Sequence, residues 1–208
     1  ESRRFFTMLG TLVRGRVCVG AAAGIAGRRA LSIATRYALQ RRQFPVPGGE
    51  GEVLLLDYAS HQRRLFPWIA RAYALGFAHN DLIRLLVECR SPSVTEARRR
   101  ELESRAAGLK VAETRFANDV CQVAREACGG AGYMAENQLT LLRNDVDIFA
   151  TFEGDNTVLQ QLVAKGLLLG YREGWTGLDR RETFVKTADL VGRMVVELTY
   201  ARTITDRL

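Results

Sequence analysis

Lysine is scarce in this chain. Lys110, Lys165 and Lys186 are the only three, so arginine supplies 27 of the 30 basic residues behind the formal net charge of +7. A nucleic-acid surface would need its basic residues clustered in one patch. The tightest clusters, Arg98–Arg100 and Arg41–Arg42, are short. We therefore expect no nucleic-acid partner, and we interpret the first cluster as a solvated helix start.

The sequence also lacks the spacing of metal ligands and long apolar runs. Its four cysteines form no Cys-x-x-Cys pair and have no histidine nearby, which argues against a metal site. Each lies among apolar residues and is interpreted as a small buried hydrophobe in a reduced compartment. They are Cys18, Cys89, Cys121 and Cys128. No apolar run reaches the roughly 20 residues that a bilayer requires, so we expect a soluble protein without a membrane span.

An initiator methionine and a signal peptide are absent as well. The chain opens on Glu1, and residues 14–27 already form an amphipathic run without the basic start and cleavage site of a secretory signal. We therefore expect a piece of a longer protein. Its 208 residues are enough for one substantial core, or for one domain and the start of another.

Alternation typical of β-strands does not appear over any useful length, and apolar residues recur at helical spacing instead. Small and aliphatic residues follow this spacing from Thr11 to Gln40. Gly20 and Gly24 would each cost that helix about 1 kcal/mol relative to alanine. We therefore expect them to allow close approach of another backbone or of a flat cofactor. The helix is predicted to stop at the breaker run 44–49.

Four further helices are predicted, at about residues 52–89, 94–127, 157–171 and 180–208. Pro67 predicts a kink or break in the helix at 52–89, and the glycine-rich run 129–132 ends the helix at 94–127. A short piece near 137–147 precedes the third. The sequence thus predicts an all-α fold: an up-down four-helix bundle over residues 1–171 and an additional trailing C-terminal helix. Residues 172–208 would form a linker and begin a second helical domain.

Two segments do not look like ordinary bundle sequence. Gly129–Tyr133 contains paired glycines that let backbone lie against a ligand, although such a run also terminates helices. Glu153–Thr157 opens a helix, where acidic and amide residues serve as caps and complement the dipole. Asp155 or Asn156 can cap that helix, which leaves Glu153 without a capping role.

A third segment, Arg41–Phe44, closes a helix, where basic residues suit the dipole and a structural explanation suffices. Together, however, these segments resemble the acyl-CoA dehydrogenase and oxidase superfamily. The spacing from Arg16 to Phe44 matches the family's first C-terminal helix without a gap and ends in its Arg-x-x-Phe motif. Arg125–Tyr133 resembles the Gly-Gly-x-Gly-Tyr loop, and Thr151–Leu159 resembles the oxidase form of the catalytic Glu-Gly segment.

Details of these motifs resemble oxidases more than dehydrogenases. Asp155 stands where dehydrogenases usually have threonine, and Arg143 lies one residue further from Glu153 than in the dehydrogenase pattern. Arg-Glu-Ala-Cys precedes Gly-Gly. The resemblance covers about residues 5–170, and the last helix resembles the start of the oxidases' extra C-terminal domain. Two alternatives stay open: a dehydrogenase that passes electrons to an electron-transfer flavoprotein, and a non-catalytic helical oligomerisation module.

The resemblance implies part of an FAD-dependent acyl-CoA oxidase in which Glu153 is the catalytic base that removes the α-proton of a fatty acyl-CoA. Desolvation would raise the proton affinity of the carboxylate, and hydrogen bonds to the thioester carbonyl would make the substrate more acidic. The implied product is trans-2-enoyl-CoA, and the electrons pass through the flavin to O2, which yields hydrogen peroxide. The fragment alone would be inactive, because the family's amino-terminal helical and middle β-domains complete the pockets.

Further site residues and partners follow from the same resemblance. Arg16 matches an arginine near the base and the acyl-CoA, with an exposed helical arginine as the alternative. The expected cofactor contacts, of which the first three would reach the FAD of a neighbouring subunit, are Arg41, Gln43, Phe44, His61, Gln62, Gly129, Gly130, Gly154, Asp155 and Thr157. A homodimer or higher homo-oligomer is implied. The arginine bias favours a bacterial cytoplasm, and a eukaryotic member would be peroxisomal.

Overall fold

Helices form nearly all of the protein in the computed structural model, which describes the backbone of residues 2–205 and side-chain burial for residues 12–194, 196 and 197. The α-helices in these residues are α1 (Ser2–Ala38), α2 (Ala59–Glu88), α3 (Glu96–Ala127), α4 (Leu139–Asp147), α5 (Asn156–Trp175) and α6 (Arg180–Thr205). The chain divides into two compact units, Glu1–Gly166 and Leu167–Leu208. The predicted all-α fold is confirmed.

Contacts in the first unit establish the direction of its helices. A Cβ added to Gly20 of α1 would lie beside Glu113, and one added to Gly27 would lie beside Phe116 and Val120, so α1 and α3 run parallel. Helix α2 is antiparallel to α1, since its later residues Leu82 and Leu85 share a core cluster with Val13 and Val17 near the start of α1, whereas Leu65 clusters with Ala38.

The fourth long helix, α5, runs antiparallel to α3. Arg115 Nη2 donates to Gln160 Oε1 at 3.3 Å, while a Cβ on the earlier residue Gly108 would touch the later residue Val163. The long helices therefore alternate up, down, up and down, as predicted. The short α4 packs against α3. Its buried residues Leu139 and Val146 belong to the main core, the buried cluster that also contains Ala38, Leu65 and Phe116.

Helix α1 contains a long apolar stretch. Its residues Leu12–Ala38 are long and apolar enough to cross a bilayer by length and composition, contrary to the expectation that no run would be. Half of its most apolar 18 residues are buried inside the protein. Ala23, Ala30 and Ala34 are fully buried in the main core with Phe116 of α3. The hydropathy of α1 is thus explained by its place in the core.

Pro67 lies inside α2, which continues past it, so of the predicted kink or break the break does not occur. A proline within a helix costs roughly 3 kcal/mol because it removes one backbone donor and crowds the preceding turn. Packing on both sides of it compensates, since the buried residues Leu65 and Ala72 belong to the main core. Tertiary burial therefore outweighs the local preference of the chain.

The breaker run forms a small antiparallel hairpin, which the sequence did not predict. Strand β1 (Arg42–Pro45) pairs with β2 (Glu52–Leu54), and a 3-10 turn over Leu55–Asp57 leads into α2. Strands of four and three residues are too short to show the alternation by which strands are recognised. The second helix consequently begins at Ala59 and not near residue 52.

The cysteines divide into two groups. Cys121 and Cys128 are buried, and burial raises the pKa of each thiol to about 11. Cys89 is partly exposed, and Cys18 is exposed on α1. The interpretation of all four as buried hydrophobes was therefore wrong for Cys18, which lies between the buried residues Val17 and Val19 on a helix that is only half covered.

The second unit contains the last turns of α5 and helix α6. Asp179 and Glu182 form a reciprocal cap at the start of α6: Glu182 N donates to Asp179 Oδ1 at 2.7 Å, and Asp179 N donates to Glu182 Oε2 at 3.1 Å. Lys186 Nζ donates to the carbonyl of Gly174. The predicted helix included residues 206–208, which lie outside the described residues.

Gly20 and Gly24 allow a close approach, as expected, and α3 is the partner. A Cβ added to Gly20 would lie 3.5 Å from Lys110 Cα and closer than 3 Å to Glu113 Oε2. Glu113 is almost fully buried, and its Oε2 lies 3.0 Å from Nδ1 of the buried His79. The missing side chain of Gly20 thus leaves room for a buried carboxylate between α1, α2 and α3.

Gly20→Ala is expected to destabilise the protein by about 1–3 kcal/mol, because the new methyl group would displace Glu113 from its contact with His79. This loss exceeds the gain of about 1 kcal/mol that alanine brings to a helix interior. The matched control is Gly76→Ala, whose Cβ would meet only Arg28 Nη1 at 3.7 Å. Urea unfolding should show opposite signs for the two variants, and equal stability would contradict the account.

Candidate functional site

Glu153 lies in the short segment between α4 and α5, after a 3-10 turn over Ile148–Ala150. Its backbone is left-handed, with φ of 56°, and the following Gly154 has φ of 113°. A left-handed backbone at a residue other than glycine costs of the order of 1–3 kcal/mol and persists only where its surroundings enforce it. Such outliers cluster at functional sites, which makes this the most informative backbone feature of the bundle.

The Glu153 carboxylate turns inward against α1. A Cβ added to Gly15 would lie closer than 3 Å to three atoms of this carboxylate, so the glycine provides the space it occupies. Glu153 Oε2 is buried and has no hydrogen-bond partner among the described residues. A buried carboxylate oxygen without a partner is costly in a folded protein. Its position therefore suits an acceptor held ready for a ligand.

Asp155 caps helix α5, which confirms that the cap does not need Glu153. Its Oδ1 accepts from the backbone N of Thr157 at 2.8 Å and of Val158 at 3.4 Å. These two hydrogen bonds lower the pKa of Asp155. The cap is therefore present at neutral pH and is lost only as the pH falls through this lowered pKa. Thr157 is exposed in the first turn of the helix.

Arg16 lies beside Glu153, as the sequence predicted, although it contacts the backbone. Arg16 Nε donates to the carbonyl oxygen of Glu153 at 3.4 Å, and both side chains are partly buried. Arg16 directly follows Gly15, the residue of α1 that leaves room for the Glu153 carboxylate. Arg16, Glu153, Gly154 and Asp155 thus form one cluster.

Lys110 belongs to this cluster and was not predicted. Its side chain is almost fully buried, and Nζ donates to Gly154 O at 2.8 Å, Asn156 Oδ1 at 3.1 Å and Ala150 O at 3.2 Å. A signal for it exists in the sequence: it is one of only three lysines, and it lies between the apolar residues Leu109 and Val111. A lysine in a helical core position is unusual unless its charge is paired or solvated.

The residues matched to a neighbouring subunit's cofactor lie at the far end of α1. From Arg16 to Ala38 the helix rises about 33 Å, and Arg41 follows directly. Arg41, just before the hairpin, and Gln43 and Phe44 on its first strand are all exposed, and Phe44 has a left-handed φ of 67°. Their exposure leaves the side chains free to meet a ligand or another chain. They do not join the cluster around Glu153.

His61 and Gln62 lie near this hairpin at the start of α2. Tyr58, at the end of the preceding turn, donates its hydroxyl to Gln43 O at 2.8 Å. Gln62 Nε2 donates to Leu56 O at 3.0 Å. His61 is buried, and burial together with the charge of Arg64 lowers its pKa, so it is neutral at pH 7. Its Nε2 is buried without a hydrogen-bond partner among the described residues.

The glycine loop lies at the same end, because it follows the end of α3, which runs parallel to α1. Gly129 has a left-handed φ of 55°, which confirms that glycine supplies this conformation after α3. Both Gly129 and Gly130 are exposed, and a Cβ on either would meet no described atom within 4 Å. Their surface is open to a flat ligand.

The described residues contain no group of three or more histidine, cysteine, aspartate or glutamate side chains that could hold a metal ion.

The chain presents two separate groups of predicted site residues. One is a buried carboxylate on a strained backbone, suited to accepting a proton. The other is an exposed surface of arginine, amide, aromatic and glycine residues, suited to a flat, phosphate-bearing ligand.

Comparisons with known proteins give the family of the bundle. Residues 9–168 match the family described as "Acyl-CoA oxidase, C-alpha1 domain". The chain is 42% identical over 169 residues to putative acyl-coenzyme A oxidase 3.2, peroxisomal, of Arabidopsis thaliana; this match covers 81% of the chain and 24% of the relative.

Two solved structures have the same fold. The crystal structure of an acyl-CoA oxidase from tomato, Lycopersicon esculentum, matches with a TM-score of 0.75 and 36% identity, over 80% of this chain and 26% of that one. Acyl-CoA oxidase-1 of Caenorhabditis elegans, complexed with FAD and ATP, matches with a TM-score of 0.71 and 32% identity, over 81% and 27% of the two chains.

The chain spans about a quarter of the length of the relatives it matches. The glutamate segment and the glycine loop both lie within residues 9–168, the range that matches the family. The chain belongs to the acyl-CoA oxidase family, and residues 9–168 are its C-alpha1 domain.

Proposed function

We propose that this chain is the helical part of an FAD-dependent acyl-CoA oxidase that supplies the catalytic base, Glu153. The full protein would convert a fatty acyl-CoA and O2 into a trans-2-enoyl-CoA and hydrogen peroxide, a step of fatty-acid β-oxidation. The observation that supports this most strongly is the buried, unpartnered Oε2 of Glu153 on a left-handed backbone. Family membership gives that carboxylate its task.

The chemistry asks Glu153 to accept a weakly acidic proton from the α-carbon of a thioester. A fixed position of the carboxylate shortens the search for the reacting geometry. Gly15 admits the carboxylate against α1, and the left-handed backbone aims it there. Arg16, whose Nε contacts the Glu153 carbonyl, is the residue we propose to face the acyl-CoA.

The residues at the other end of the bundle, which are exposed or partly exposed except for His61, fit FAD. When bound, FAD supplies the two-electron acceptor that the substrate requires. The open glycine surface at 129–130, the buried unpartnered Nε2 of His61 and the exposed Arg41 are suited to a flat cofactor with a pyrophosphate. Gln43, Phe44 and Gln62 lie in the same region, and Gly154, Asp155 and Thr157 lie beside the base.

The separation of the two groups favours a site shared between subunits. Arg16 lies within α1, which rises about 33 Å from there to Ala38, three residues before Arg41; this is too far for both arginines to contact the same reacting atoms. We therefore propose that Arg41, Gln43 and Phe44 serve the FAD of a neighbouring subunit in a homodimer or higher homo-oligomer. We also propose that residues 172–208 begin a further helical domain, and that a bacterial protein would act in the cytoplasm. The Arabidopsis relative is named as peroxisomal.

Glu153→Gln in the full-length protein is expected to slow anaerobic flavin reduction by acyl-CoA by about 10²–10⁴-fold, because the amide keeps the shape of the side chain and removes the base. Stopped-flow absorbance of the flavin measures this rate. Glu136→Gln is the matched control, since Glu136 is exposed in another turn. Near-normal reduction in the Glu153 variant would refute the assignment.

The same protein should release hydrogen peroxide stoichiometrically when O2 is the sole electron acceptor. A flavin that acyl-CoA reduces but that stays reduced in air would favour the dehydrogenase alternative over the oxidase. If acyl-CoA does not reduce the flavin of the full-length protein, the result would favour the non-catalytic module.

Gly15→Ala is expected to slow the same flavin reduction by about 10–100-fold with little loss of stability. The new Cβ would displace the Glu153 carboxylate, which is the end of a flexible side chain and moves more easily than backbone. A displacement of about 1 Å can cost this much in rate. Gly76→Ala is the control in a neighbouring helix, and a rate in Gly15→Ala as high as in that control would contradict the positional role of Gly15.

A further inference from the structure

Lys110 is a charged side chain in the interior of the bundle. It lies in the middle of α3 and is only 1% exposed. Transfer of an ammonium group from water to a protein interior is costly unless its donors and charge are compensated. A cation in this place therefore needs a physical reason, and the packing of α3 alone does not give one.

All three hydrogen-bond donors of the ammonium group have acceptors. Nζ lies 2.8 Å from Gly154 O, 3.1 Å from Asn156 Oδ1 and 3.2 Å from Ala150 O. An ammonium group has three donors and no acceptor, so these contacts satisfy it completely. All three acceptors belong to one short segment, residues 150–156, at whose centre Glu153 lies.

This segment cannot be held by regular secondary structure alone. It leaves a 3-10 turn at Ala150, passes through left-handed backbone at Glu153 and Gly154, and enters α5 at Asn156. The acceptors of Lys110 lie on both sides of Glu153: one precedes it by three residues, and two follow it. The ammonium group thereby ties the end of one element to the start of the next.

A second layer orients one of the three acceptors. The Asn156 side chain is buried, its Nδ2 donates to Thr114 Oγ1 at 3.0 Å, and the same hydroxyl lies 3.4 Å from Asn156 Oδ1. Thr114 lies one turn after Lys110 on α3. Thr114, on the same helix as Lys110, therefore orients the Asn156 amide so that its oxygen faces Lys110. The contact is part of a connected hydrogen-bond network.

The charges near Lys110 act in opposing directions. Burial lowers the pKa of Lys110, and the charge of Arg16 lowers it further. The charges of Asp155 and Glu153 raise it. The cation thus interacts with both acidic side chains of the segment as well as with its carbonyl groups.

We propose that Lys110 is a positioning residue for the catalytic base: it fixes the backbone on both sides of Glu153 and so holds the carboxylate where it meets the substrate. This inference rests on the proposed role of Glu153 as the base. It assigns to Lys110 a function beyond packing, although Lys110 touches neither the substrate nor the cofactor.

The test is Lys110→Met in the full-length protein, with flavin reduction by acyl-CoA followed anaerobically and expressed per bound flavin. Methionine preserves the length and burial of the side chain and removes the donors and the charge. We expect the maximal reduction rate to fall by about 10–100-fold, while the acyl-CoA concentration that gives half the maximal rate changes little. Lys110→Gln, which retains an amide donor, should lie between methionine and the wild type.

Leu85→Ala is the matched control for a purely structural role. Leu85 is 2% exposed in the core cluster with Val13 and Val17, a cluster that contains none of residues 150–156. The substitution lowers the thermal midpoint but should leave the reduction rate per bound flavin unchanged. A wild-type rate per flavin in Lys110→Met, or an equal fall in Leu85→Ala, would overturn the inference.

Asn156→Ala provides a second test if Lys110→Met does not fold with flavin. It removes one of the three acceptors, and we expect a smaller fall in the same rate constant; an unchanged rate would count against the inference. The outcomes separate the two proposals. If Glu153→Gln retains its activity, the proposed function fails; if Glu153→Gln is inactive and the Lys110 and Asn156 variants reduce flavin normally, only the positioning role fails.

Discussion

The close approach of α1 to α3 is the constraint on which the rest of the structure depends. Four positions of α1 have no side chain; three of them face α3 and one faces the Glu153 carboxylate, and a Cβ on three of the four would come closer than 3 Å to a neighbouring group. Two of these groups are the carboxylates of Glu153 and Glu113, and the third is the Phe116 ring. Small residues on one helix thus make room for large or charged ones opposite. The positions are Gly15, Gly20, Gly24 and Gly27.

This packing explains why a bundle of ordinary composition contains buried charges. Glu113 is held by His79, and Lys110 is held by carbonyl and amide oxygens of the segment that contains Glu153. Buried charges of this kind contribute little to stability, because their desolvation offsets their attraction. They do, however, favour one arrangement of the backbone over others, and in this bundle that arrangement includes the strained backbone at Glu153. The core and the site are therefore parts of one packing problem.

Much of the fold could be predicted from the sequence, because long amphipathic helices repeat one signal many times. The hairpin could not be predicted, because its strands have too few residues to show a pattern. The continuation of α2 past Pro67 could not be predicted either, because it depends on tertiary packing and not on the local sequence. Glu153 was found through resemblance and through the argument that Asp155 caps α5, which the structure confirms. Lys110 was missed because its partners, 40 to 46 residues away, become neighbours only when α3 and α5 pack together.

The most direct test of Glu153 as the base separates proton removal from electron transfer. An acyl-CoA analogue with sulfur in place of the β-methylene group keeps its acidic α-protons but has no β-hydride to lose. The full-length protein with FAD bound should exchange those α-protons for deuterium in D2O, measured by mass spectrometry of the recovered thioester. The account predicts exchange at the background rate in Glu153→Gln. Exchange as fast in that variant as in the wild type would contradict it.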